Sequence, residues 1–535
     1  MFRRWFFRVG LGLAAAIGLV ALVWPPVLWA FVVLGPVLAL GAWDASQSEH
    51  TILRNFPVLG RFRYLFEMVR PEIQQYFVEL NTDAFPIERE MRSVVYRRAK
   101  GELETQPFGT QRDVYRMGYE WAAHALAHAE RAEEEPRVRI GGPECAQPYE
   151  ASRLNISAMS FGALSSAAVR ALNIGARNGG FAHNTGEGGI SEYHLQGGDL
   201  IWQVGTGYFG CRNDDGSFDP RRFEAEAARP EVKMIEIKLS QGAKPGHGGV
   251  LPGCKVTGEL ARIRGVRVGE TVVSPPRHSA FSTPTGLMEF VARLRELSGG
   301  KPVGIKLCVG RRVELLSICK AALETGIAPD FVTVDGGEGG TGAAPLEFSN
   351  SMGMPARDAW AFAHIALTGA GLRDRVRMLA SGKILTGFHM VRAFALGADA
   401  CMSARGMMLA LGCIQALRCN TDHCPTGITT QNPALIKGLV VSDKSERVAR
   451  FHKATVDGML EILSAMGVRT PQEVRPEDLY RRVAETDVRS FREIHGYLEA
   501  GALAGGAEVP EPWASEWALA RADAFGLEPV HAVRV

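Results

Sequence analysis

Between residues 150 and 410 the chain repeats one pattern, in which short apolar runs alternate with longer amphipathic stretches. The apolar runs are RLNISAMS, MIEIKLS, PVGIKLCVG, FVTVDGG, RVRMLASG and ACMSARG. Such runs are typical of parallel strands that are buried on both faces, with helices such as LSSAAVRALNIGARNGG between them. Right-handed βα units in series predict an α/β fold, the (β/α)8 TIM barrel, although an open doubly wound sheet would produce a similar pattern.

Composition excludes two classes of protein. The chain has 535 residues, of which 46% are hydrophobic and 22% are charged, so there is ample material for a large core. A formal net charge of +2 provides no basic surface for nucleic acid, and no nucleic-acid partner is expected. Nine cysteines are an odd number and too dilute for a disulfide scaffold, which indicates reduced thiols.

The N-terminal segment, residues 1–43, differs from the rest because no charged residue occurs between positions 9 and 43. One straight helix of that length would span about 50 Å, more than the bilayer core of about 30 Å, and Pro25-Pro26 would break it. A transmembrane hairpin of two helices is therefore expected, with one tilted span as the alternative. Arginines on both flanks place both ends in the cytoplasm: Arg3, Arg4, Arg8, Arg54, Arg61 and Arg63.

Two segments in which no catalytic or binding motif is recognised flank the barrel region of residues 150–470. Residues 44–149 contain the amphipathic runs RSVVYRRAKGELE and YEWAAHALAHAERAEEE, which predict a helical connector. Residues 471–535 are expected to form a helical C-terminal tail.

Two consecutive glycine turns near the end of the alternating series predict a phosphate site. LASGKILTG and, one helix later, LGADACMSARGMM each place a glycine turn after a late strand. In (β/α)8 barrels the loops after strands seven and eight commonly bind phosphate, together with a helix N-terminus, because free backbone N–H groups point at the anion. The alternative is that these glycines only form tight turns.

Several motifs in a fixed order carry a resemblance to a known family. SAMSFGALSSAA, HNTGEGG, IKLSQGAKPGHGG-LPG-KV, DGGEGGTGAAP and the cysteine run CIQALRCNTDHC resemble the FMN-binding synthase domain of glutamate synthases over residues 150–470. More narrowly, the whole chain resembles the short, membrane-anchored FMN-binding glutamate synthase family proteins of bacteria. The resemblance implies an oxidoreductase with FMN and a [3Fe-4S] cluster that reduces the imine of 2-oxoglutarate and ammonia to L-glutamate. It also implies the bacterial inner membrane, with the catalytic domain on the cytoplasmic side.

The cysteine run has the spacing C-x5-C-x4-C, and the resemblance assigns Cys413, Cys419 and Cys424 as the cluster ligands. Thiolates are the ligands that iron–sulfur clusters require, and short spacing places them around one small cluster. A zinc site would need His423 as fourth ligand, and adjacent His423 and Cys424 would have difficulty sharing one tetrahedral centre. The other alternative is that these cysteines are buried apolar residues.

The substrate pocket is expected to be cationic, because a dicarboxylate keto acid needs positive charge. Lys238 and Lys244 lie at the end of a predicted barrel strand, where active sites of this fold occur. The resemblance assigns both lysines to the flavin and 2-oxoglutarate pocket, with Arg264 suited to bidentate carboxylate binding. Glu187 in HNTGEGG matches an acid near the substrate, and these four residues are the expected catalytic set.

Residues of several loops are expected to bind the flavin. Met159 and Ser160 match family residues beside the flavin, and Lys306 lies in an apolar strand, placed to stabilise negative charge at the N1–C2=O edge of reduced isoalloxazine. For any single lysine the alternative is a solvated surface charge. The FMN phosphate is expected near Gly340, Gly342, Ser381, Gly382, Lys383, Arg405 and Gly406.

Two departures from the family pattern bring the substrate into question. Val250 stands where glutamate synthases have a pocket glutamine, and His247 replaces a glutamate. Polar recognition discriminates strongly between substrates, so the loss of an amide can change which acid is bound. Val250 leaves open an FMN oxidoreductase acting on another small oxo or amino acid. A non-catalytic membrane electron-relay subunit is a further alternative, against which the retained Lys238, Lys244 and Glu187 argue.

Some parts of the larger synthases are not expected here. No glutaminase and no C-terminal β-helix domain are visible, so ammonia is expected from solution or from another subunit. No built-in NAD(P)H site is expected, because no G-x-G-x-x-G fingerprint is seen to open a βαβ unit. Electrons are therefore expected from an external donor, either ferredoxin-like or a membrane carrier. The expected partners are this donor, a 2-oxo acid, ammonia and membrane lipid.

Overall fold

The computed structural model of the chain describes residues 2–82, 84–505 and 508–526. The chain divides into two compact units, Met1–Arg89 and Glu90–Val535. This boundary falls inside the predicted connector of residues 44–149, so residues 44–89 belong to the first unit and residues 90–149 to the second.

The N-terminal unit begins with two apolar helices, as the hairpin prediction requires. Helix Phe2–Ala21 is followed by a 3-10 turn, Pro25–Ala30, which runs directly into helix Phe31–Ser46. Both Phe2–Ala21 and the combined segment Pro25–Ser46 are long and apolar enough to cross a membrane. A short helix, Thr51–Asn55, then leads to helix Gly60–Ile73 and a π-helical turn, Gln74–Val78.

These two apolar helices pack against each other in antiparallel directions. A Cβ atom at Gly41 would collide with the ring of Phe6, and one at Gly10 would collide with the side chain of Leu38. Early residues of the first helix therefore meet late residues of the second. Glycine at such contacts lets two apolar helices approach closely, as in membrane helix pairs.

The second unit contains a closed barrel of eight parallel strands, which confirms the (β/α)8 prediction and excludes the open sheet. The last strand pairs with the first, with Cys401 opposite Leu154 and Ser403 opposite Ile156. Nearly every residue of these strands is buried, which explains their continuously apolar sequences. The barrel strands are β1 (Leu154–Ile156), β2 (His183–Asn184), β3 (Leu200–Val204), β4 (Val232–Lys238), β5 (Val303–Cys308), β6 (Phe331–Asp335), β7 (Arg377–Ser381) and β8 (Ala400–Ser403).

Helices begin and end in the barrel unit where the sequence supplies capping residues. Ser165, Thr283 and Thr386 each accept a hydrogen bond from a backbone N–H of the helix that follows. Gly180 ends its helix in the left-handed conformation, with φ of 68°. The α-helices between β1 and the end of the barrel region are Ser166–Gly179, Pro220–Ala227, Gly258–Arg264, Pro284–Leu297, Arg312–Thr325, Leu346–Ser351, Ala356–Gly369, Gly387–Ala395, Arg405–Leu411, Pro433–Ile436 and Val441–Ala465.

The helical prediction for residues 44–149 is confirmed over Arg89–Lys100 but is wrong for YEWAAHALAHAERAEEE. That run contains strand Glu120–Ala122 and is otherwise irregular up to a hairpin of Val138–Ile140 with Tyr149–Ala151. The strand forms because it pairs with Leu479–Arg482, and the rings of Trp121 and Tyr480 stack at 5.8 Å. Pairing with a distant segment overrides a local helical pattern here.

The residue that begins this strand, Glu120, explains why the pairing is stable. Its carboxylate is 5% exposed and accepts a hydrogen bond of 2.9 Å from Arg392 Nη1, with a second ion pair to Arg357. A helix in this region would separate the buried carboxylate from its partners.

The C-terminal segment is also not purely helical. Strand Leu479–Arg482 lies between Glu120–Ala122 and Val488–Ser490 in a three-stranded antiparallel sheet. Two short helices follow, Phe491–His495 and Trp513–Leu519. The predicted tail thus contributes strands that pair with the segment before the barrel. Residues 527–535 lie outside the described ranges.

Candidate active site

Two lysines predicted for the site lie side by side at the C-terminal ends of neighbouring strands. Lys238 ends β4, and it is the register partner of Lys306 in β5. Both are buried, at 8% and 5% exposed. In a (β/α)8 barrel this end of the strands is where substrates bind.

The ammonium group of Lys238 is held by two oxygen acceptors. Its Nζ donates to Glu187 Oε1 at 2.7 Å and to Gln241 Oε1 at 2.5 Å. Burial by itself would raise the pKa of Glu187, but the charges of Lys238, Lys244 and Arg264 outweigh burial and lower it. Glu187 is therefore an ionised carboxylate among several cations.

Lys244 lies on the loop after β4 and is 4% exposed. Its Nζ donates to the carbonyl oxygen of Gly248 at 3.2 Å. Burial lowers the pKa of Lys244 to about 8; the charge of Lys238 adds to this effect, and Glu187 opposes it. Lys244 can therefore exchange a proton close to neutral pH.

Arg264 ends helix Gly258–Arg264 and is directed to the same pocket. Its Nη2 donates to the Phe161 carbonyl at 2.9 Å, and its guanidinium lies over the Phe209 ring at 5.1 Å from the centroid. Burial lowers its pKa to about 10, and Glu187 opposes the shift. The buried Nε atom has no hydrogen-bond partner among the described residues, so this N–H is suited to a ligand oxygen.

Met159 and Ser160 follow β1 and border the same group. Met159 is buried, and Arg264 Nη2 lies 3.5 Å from Ser160 Oγ. A Cβ at Gly186 would lie 2.6 Å from the backbone nitrogen of Ser160, so the turn before Glu187 needs glycine to pack against this segment. The structure thus brings both predicted flavin residues next to the four predicted catalytic residues.

The two departures from the family pattern lie differently in the structure. Val250 begins a short strand, Val250–Leu251. The residue before it, Gly249, packs so closely on Glu187 that an added Cβ at Gly249 would lie 2.7 Å from Glu187 Oε1. Val250 itself is half-exposed. His247 is exposed, with its ring 5.7 Å from that of Phe348.

A residue that sequence reasoning missed, Asp335 at the end of β6, connects the lysine pair to the glycine turns. It accepts hydrogen bonds from Ser381 Oγ at 2.7 Å and from the Gly242 backbone N–H at 2.9 Å. Lys306 Nζ is 3.7 Å from its Oδ2. Asp335 begins the quoted run DGGEGGTGAAP, so the signal for it was present in the motif.

The predicted phosphate residues meet around the C-terminal ends of β6, β7 and β8. After Ser381, Gly382 and Lys383 both have positive φ, 151° and 49°. Arg405 Nη2 donates to the Glu338 carbonyl at 3.2 Å, and burial lowers the pKa of Arg405 against the opposing charges of Asp335 and Glu338.

Three glycines lie at the contacts between these turns. A Cβ at Gly406 would lie 2.5 Å from Ser403 Oγ, and one at Gly340 would lie 3.7 Å from Arg405 Nη1. A Cβ at Gly342 would lie 3.0 Å from the carbonyl carbon of Cys419. The loop after β6 therefore lies between the arginine and the cysteine run.

That loop also contains a literal G-x-G-x-x-G at residues 337–342, directly after β6, which sequence reasoning overlooked. In dinucleotide-binding units this sequence opens a helix of an open sheet. Here the next helix, Leu346–Ser351, has six residues and starts further along, in a closed barrel. Gly337 and Gly339 pack against the backbones of Gly353 and Gly242, so these glycines serve close packing of loops.

The three cysteines of the run carry free thiols, with Cys413 and Cys419 half-buried and Cys424 buried. Burial raises the pKa of Cys413 to about 11, and the other two thiols add to the shift. Cys424 has a pKa of about 7, because hydrogen bonds from Thr426 and Thr429 outweigh its burial. The donor chemistry suits a cluster, yet no group of three His, Cys, Asp or Glu side chains in the described ranges is arranged to hold a metal ion.

A second residue outside the predicted set, Lys255, attaches the cysteine run to the pocket side of the barrel. It is 2% exposed, and its Nζ donates to the carbonyls of Cys419 at 3.0 Å and Thr429 at 2.8 Å. Lys255 is the lysine of the LPG-KV motif and lies just before the helix that carries Arg264. At the other end of the run, Tyr96 Oη donates to the Cys413 carbonyl at 2.7 Å.

A third missed residue is His278, which contacts the backbone of Lys238. Its Nε2 lies 2.9 Å from the Lys238 carbonyl oxygen and its Nδ1 lies 3.0 Å from Tyr208 Oη. Burial lowers the pKa of His278 to about 4, so the ring is neutral and holds the end of β4 in place. His278 lies outside the quoted motifs, and no pattern in the sequence points to it.

A closed parallel barrel with buried cations and glycine-rich loops at the C-terminal ends of its strands defines a (β/α)8-barrel enzyme. The family model described as "Conserved region in glutamate synthase" matches residues 113–469. The chain therefore belongs to the glutamate synthase family and is a glutamate synthase-type oxidoreductase.

Individual relatives differ in how much of their length is shared. The chain is 36% identical over 507 residues to the glutamate synthase large subunit-like protein YerD of Bacillus subtilis (strain 168), covering 86% of this chain and 96% of YerD. It is 35% identical over 322 residues to the archaeal glutamate synthase (NADPH) of Methanocaldococcus jannaschii, covering 60% of each. Among solved structures, mandelate oxidase with (S)-2-phenylpropionate has a TM-score of 0.42 at 14% identity, covering 75% of this chain and 98% of that one.

Proposed function

We propose that this protein is an FMN-dependent oxidoreductase that converts 2-oxoglutarate to L-glutamate by reductive amination. Ammonia is free or supplied by a partner, and electrons come from an external donor. The observation that carries the proposal is the buried group of Lys238, Lys244 and Arg264 around a single carboxylate, Glu187. Three cations against one carboxylate leave an excess of positive charge, which complements a dicarboxylate substrate.

FMN fits the loops at the C-terminal ends of the strands. The phosphate would be held by the residues of the two glycine turns and the β6 loop, where Gly382 and Lys383 have positive φ and glycines let backbone segments approach closely. Met159 and Ser160 would lie beside the ring, and Lys306 would face its N1–C2=O edge. FMN, when bound, supplies the hydride for imine reduction.

The substrate would be bound and oriented by the four pocket residues. The unpartnered Nε–H of Arg264 and the ammonium of Lys238 would bind carboxylate oxygens. Lys244 Nζ, with a pKa of about 8, can donate a proton to the nitrogen that becomes the amine. Glu187 balances part of the positive charge and keeps Lys238 in position.

Cys413, Cys419 and Cys424 are the residues that would hold a [3Fe-4S] cluster, which would supply one-electron transfer. The support is the presence of three unpaired thiols in one run, two of which affect the titration of the third. The contact of Cys419 with Gly342 brings the run next to the proposed FMN phosphate loop. A ferredoxin-like protein or a membrane carrier would supply the electrons.

A second candidate function is the same FMN chemistry on another small oxo or amino acid. Val250 favours it, because an apolar side chain directly follows the glycine that packs on Glu187. If Val250 faces the substrate, an acid with a less polar end would fit better than 2-oxoglutarate.

The N-terminal helices are proposed to anchor the enzyme in the bacterial inner membrane, with the barrel on the cytoplasmic side. Their length, apolar composition and antiparallel packing support two spans, and the flanking arginines support this orientation.

Anaerobic stopped-flow absorbance tests the reaction. The full-length holoenzyme, chemically reduced, is mixed with 2-oxoglutarate and ammonium, and flavin reoxidation and L-glutamate are measured. We expect oxidised flavin and L-glutamate to form with ammonium, and we expect neither to form when glutamine replaces ammonium. Reoxidation by a different acid but not by 2-oxoglutarate would establish the second candidate instead.

A further inference from the structure

Helix Gly60–Ile73, in the N-terminal unit, carries an apolar face that the reaction does not explain. At about 100° per residue, five apolar side chains fall on one face of this helix. Arg63, Glu67 and Arg70 form a polar stripe on another face. The apolar residues are Phe62, Leu65, Phe66, Val69 and Ile73.

Four of the five residues of this face are exposed, and Val69 is half-buried. Phe62 is 53% exposed, Phe66 is 62% exposed, and Leu65 and Ile73 are 45% and 43% exposed. The π-helical turn that follows extends the exposed surface to Phe77, at 84%. A contiguous row of exposed large apolar residues marks an interaction surface, because water solvates it poorly.

An ion pair fixes the start of this helix next to the end of the second apolar helix. Asp44 is fully buried and accepts from Arg61 Nη2 at 2.6 Å and from the Val58 backbone N–H at 2.9 Å. Asp44 lies near the C-terminal end of Phe31–Ser46. Helix Gly60–Ile73 therefore begins at the level where the second proposed span leaves the membrane.

The first apolar helix begins at the same level. The rings of Phe2 and Phe56 lie 5.5 Å apart, and Phe56 comes just before helix Gly60–Ile73. Trp5 and Trp43, on the two apolar helices, are 58% and 67% exposed near this end. Exposed tryptophans at one end of a helix pair are typical of the membrane–water interface.

We propose that helix Gly60–Ile73 lies in the plane of the bilayer surface, with the face of Phe62 and Phe66 in lipid. Arg63 and Arg70 then lie level with the headgroups, and their charge favours anionic lipid. The occupant of the apolar face is lipid, because the helix begins beside the ends of two helices proposed to cross the bilayer. This inference rests on the membrane anchoring proposed above.

Site-specific photo-crosslinking of the full-length protein tests the proposal. Benzoylphenylalanine replaces Phe66, Glu67 or Leu19, one position at a time, in protein reconstituted into nanodiscs of phosphatidylcholine and phosphatidylglycerol. Leu19, 68% exposed in the first apolar helix, reports on the span, and Glu67 is the matched control on the polar stripe of the same turn. Mass spectrometry identifies lipid or protein adducts.

We expect lipid adducts at Leu19 and at Phe66, with the Phe66 yield at least about 5-fold above that of Glu67. Lipid adducts at Leu19 with equal yields at Phe66 and Glu67, or protein adducts at Phe66, would overturn the interfacial helix and leave the anchor intact. Absence of lipid adducts at Leu19 would overturn the anchor and this inference together. The same probe at Phe62, with Arg63 as its control, repeats the test one turn earlier.

Discussion

Lys244 offers a direct test of the proposed pocket, because its proton is lost at an unusually low pH. Burial lowers the pKa of Lys244 from an ordinary value of 10.5 to about 8, a shift that corresponds to about 3 kcal/mol. The substitution Lys244→Met removes the charge and keeps most of the side-chain volume. We expect slower flavin reoxidation by 2-oxoglutarate with ammonium, and a changed pH profile.

The size of the effect follows from the protonated fraction of Lys244. With a pKa of about 8, roughly nine tenths of the Lys244 side chains are protonated at pH 7 and roughly one tenth at pH 9. If the charged form accelerates the reaction about 10-fold, or 1.4 kcal/mol, the ratio of native to Lys244→Met rates falls from about 9 at pH 7 to about 2 at pH 9.

Stability changes with pH in the opposite direction. The folded pKa of Lys244 is lower than its unfolded value, so between pH 8 and 10.5 the unfolded chain binds more protons than the folded chain. This group therefore increases the free energy of unfolding as pH rises through that window. Unfolding caused by titration of Lys244 would therefore not explain a loss of activity above pH 8.

The assay is anaerobic stopped-flow absorbance of the full-length holoenzyme, with rate ratios taken at each pH. Ratios cancel the change in ammonia protonation, which is the same for both proteins. Lys437→Met, a change at an exposed lysine, is the matched control and is expected to leave rates unchanged. A native-to-variant ratio that stays constant from pH 7 to 9 would refute the role of the Lys244 charge.

The remaining predictions concern cofactors and stability. Denatured protein should release FMN, whereas release of FAD, or of no flavin from flavin-replete cells, would contradict the phosphate site. Cys413→Ser, Cys419→Ser and Cys424→Ser should each remove iron and acid-labile sulfide, while Cys319→Ser, at a buried thiol elsewhere, should retain both. Stoichiometric zinc without sulfide in anaerobically purified protein would show that the cluster assignment is wrong. Glu120→Gln should cost about 3 kcal/mol and lower Tm, because it removes the buried charge that pairs with the partly exposed Arg392 and Arg357; an unchanged Tm would argue against that network.

Most of the barrel could be predicted from the sequence, because long buried strands leave a strong local pattern. The run MIEIKLS predicts β4, and PVGIKLCVG predicts β5, since both are mostly apolar and contain few charged residues, which are Glu236, Lys238 and Lys306. Strand β2 was missed, because its two residues, His183–Asn184, are too few to produce a pattern. β3 was missed too, although its run LIWQV is apolar.

The false helix at YEWAAHALAHAERAEEE has a physical cause of a different kind. The spacing of its apolar residues matches the period of a helix. The partners of its strand, Leu479–Arg482 and the arginines that pair with Glu120, lie in distant parts of the chain. A local pattern contains no information about such partners, so tertiary contacts decide the outcome.

The sequence by itself determined which residue types are available to the site: the lysines inside apolar strands, the glycine turns and the cysteine spacing. Only the tertiary structure placed Lys238 beside Lys306, through the register of β4 with β5, and joined Lys238 to Glu187. It also added Asp335 and His278, whose roles depend on contacts across the barrel. The reason is that strand register and loop packing decide which side chains meet, and both depend on closure of the whole barrel.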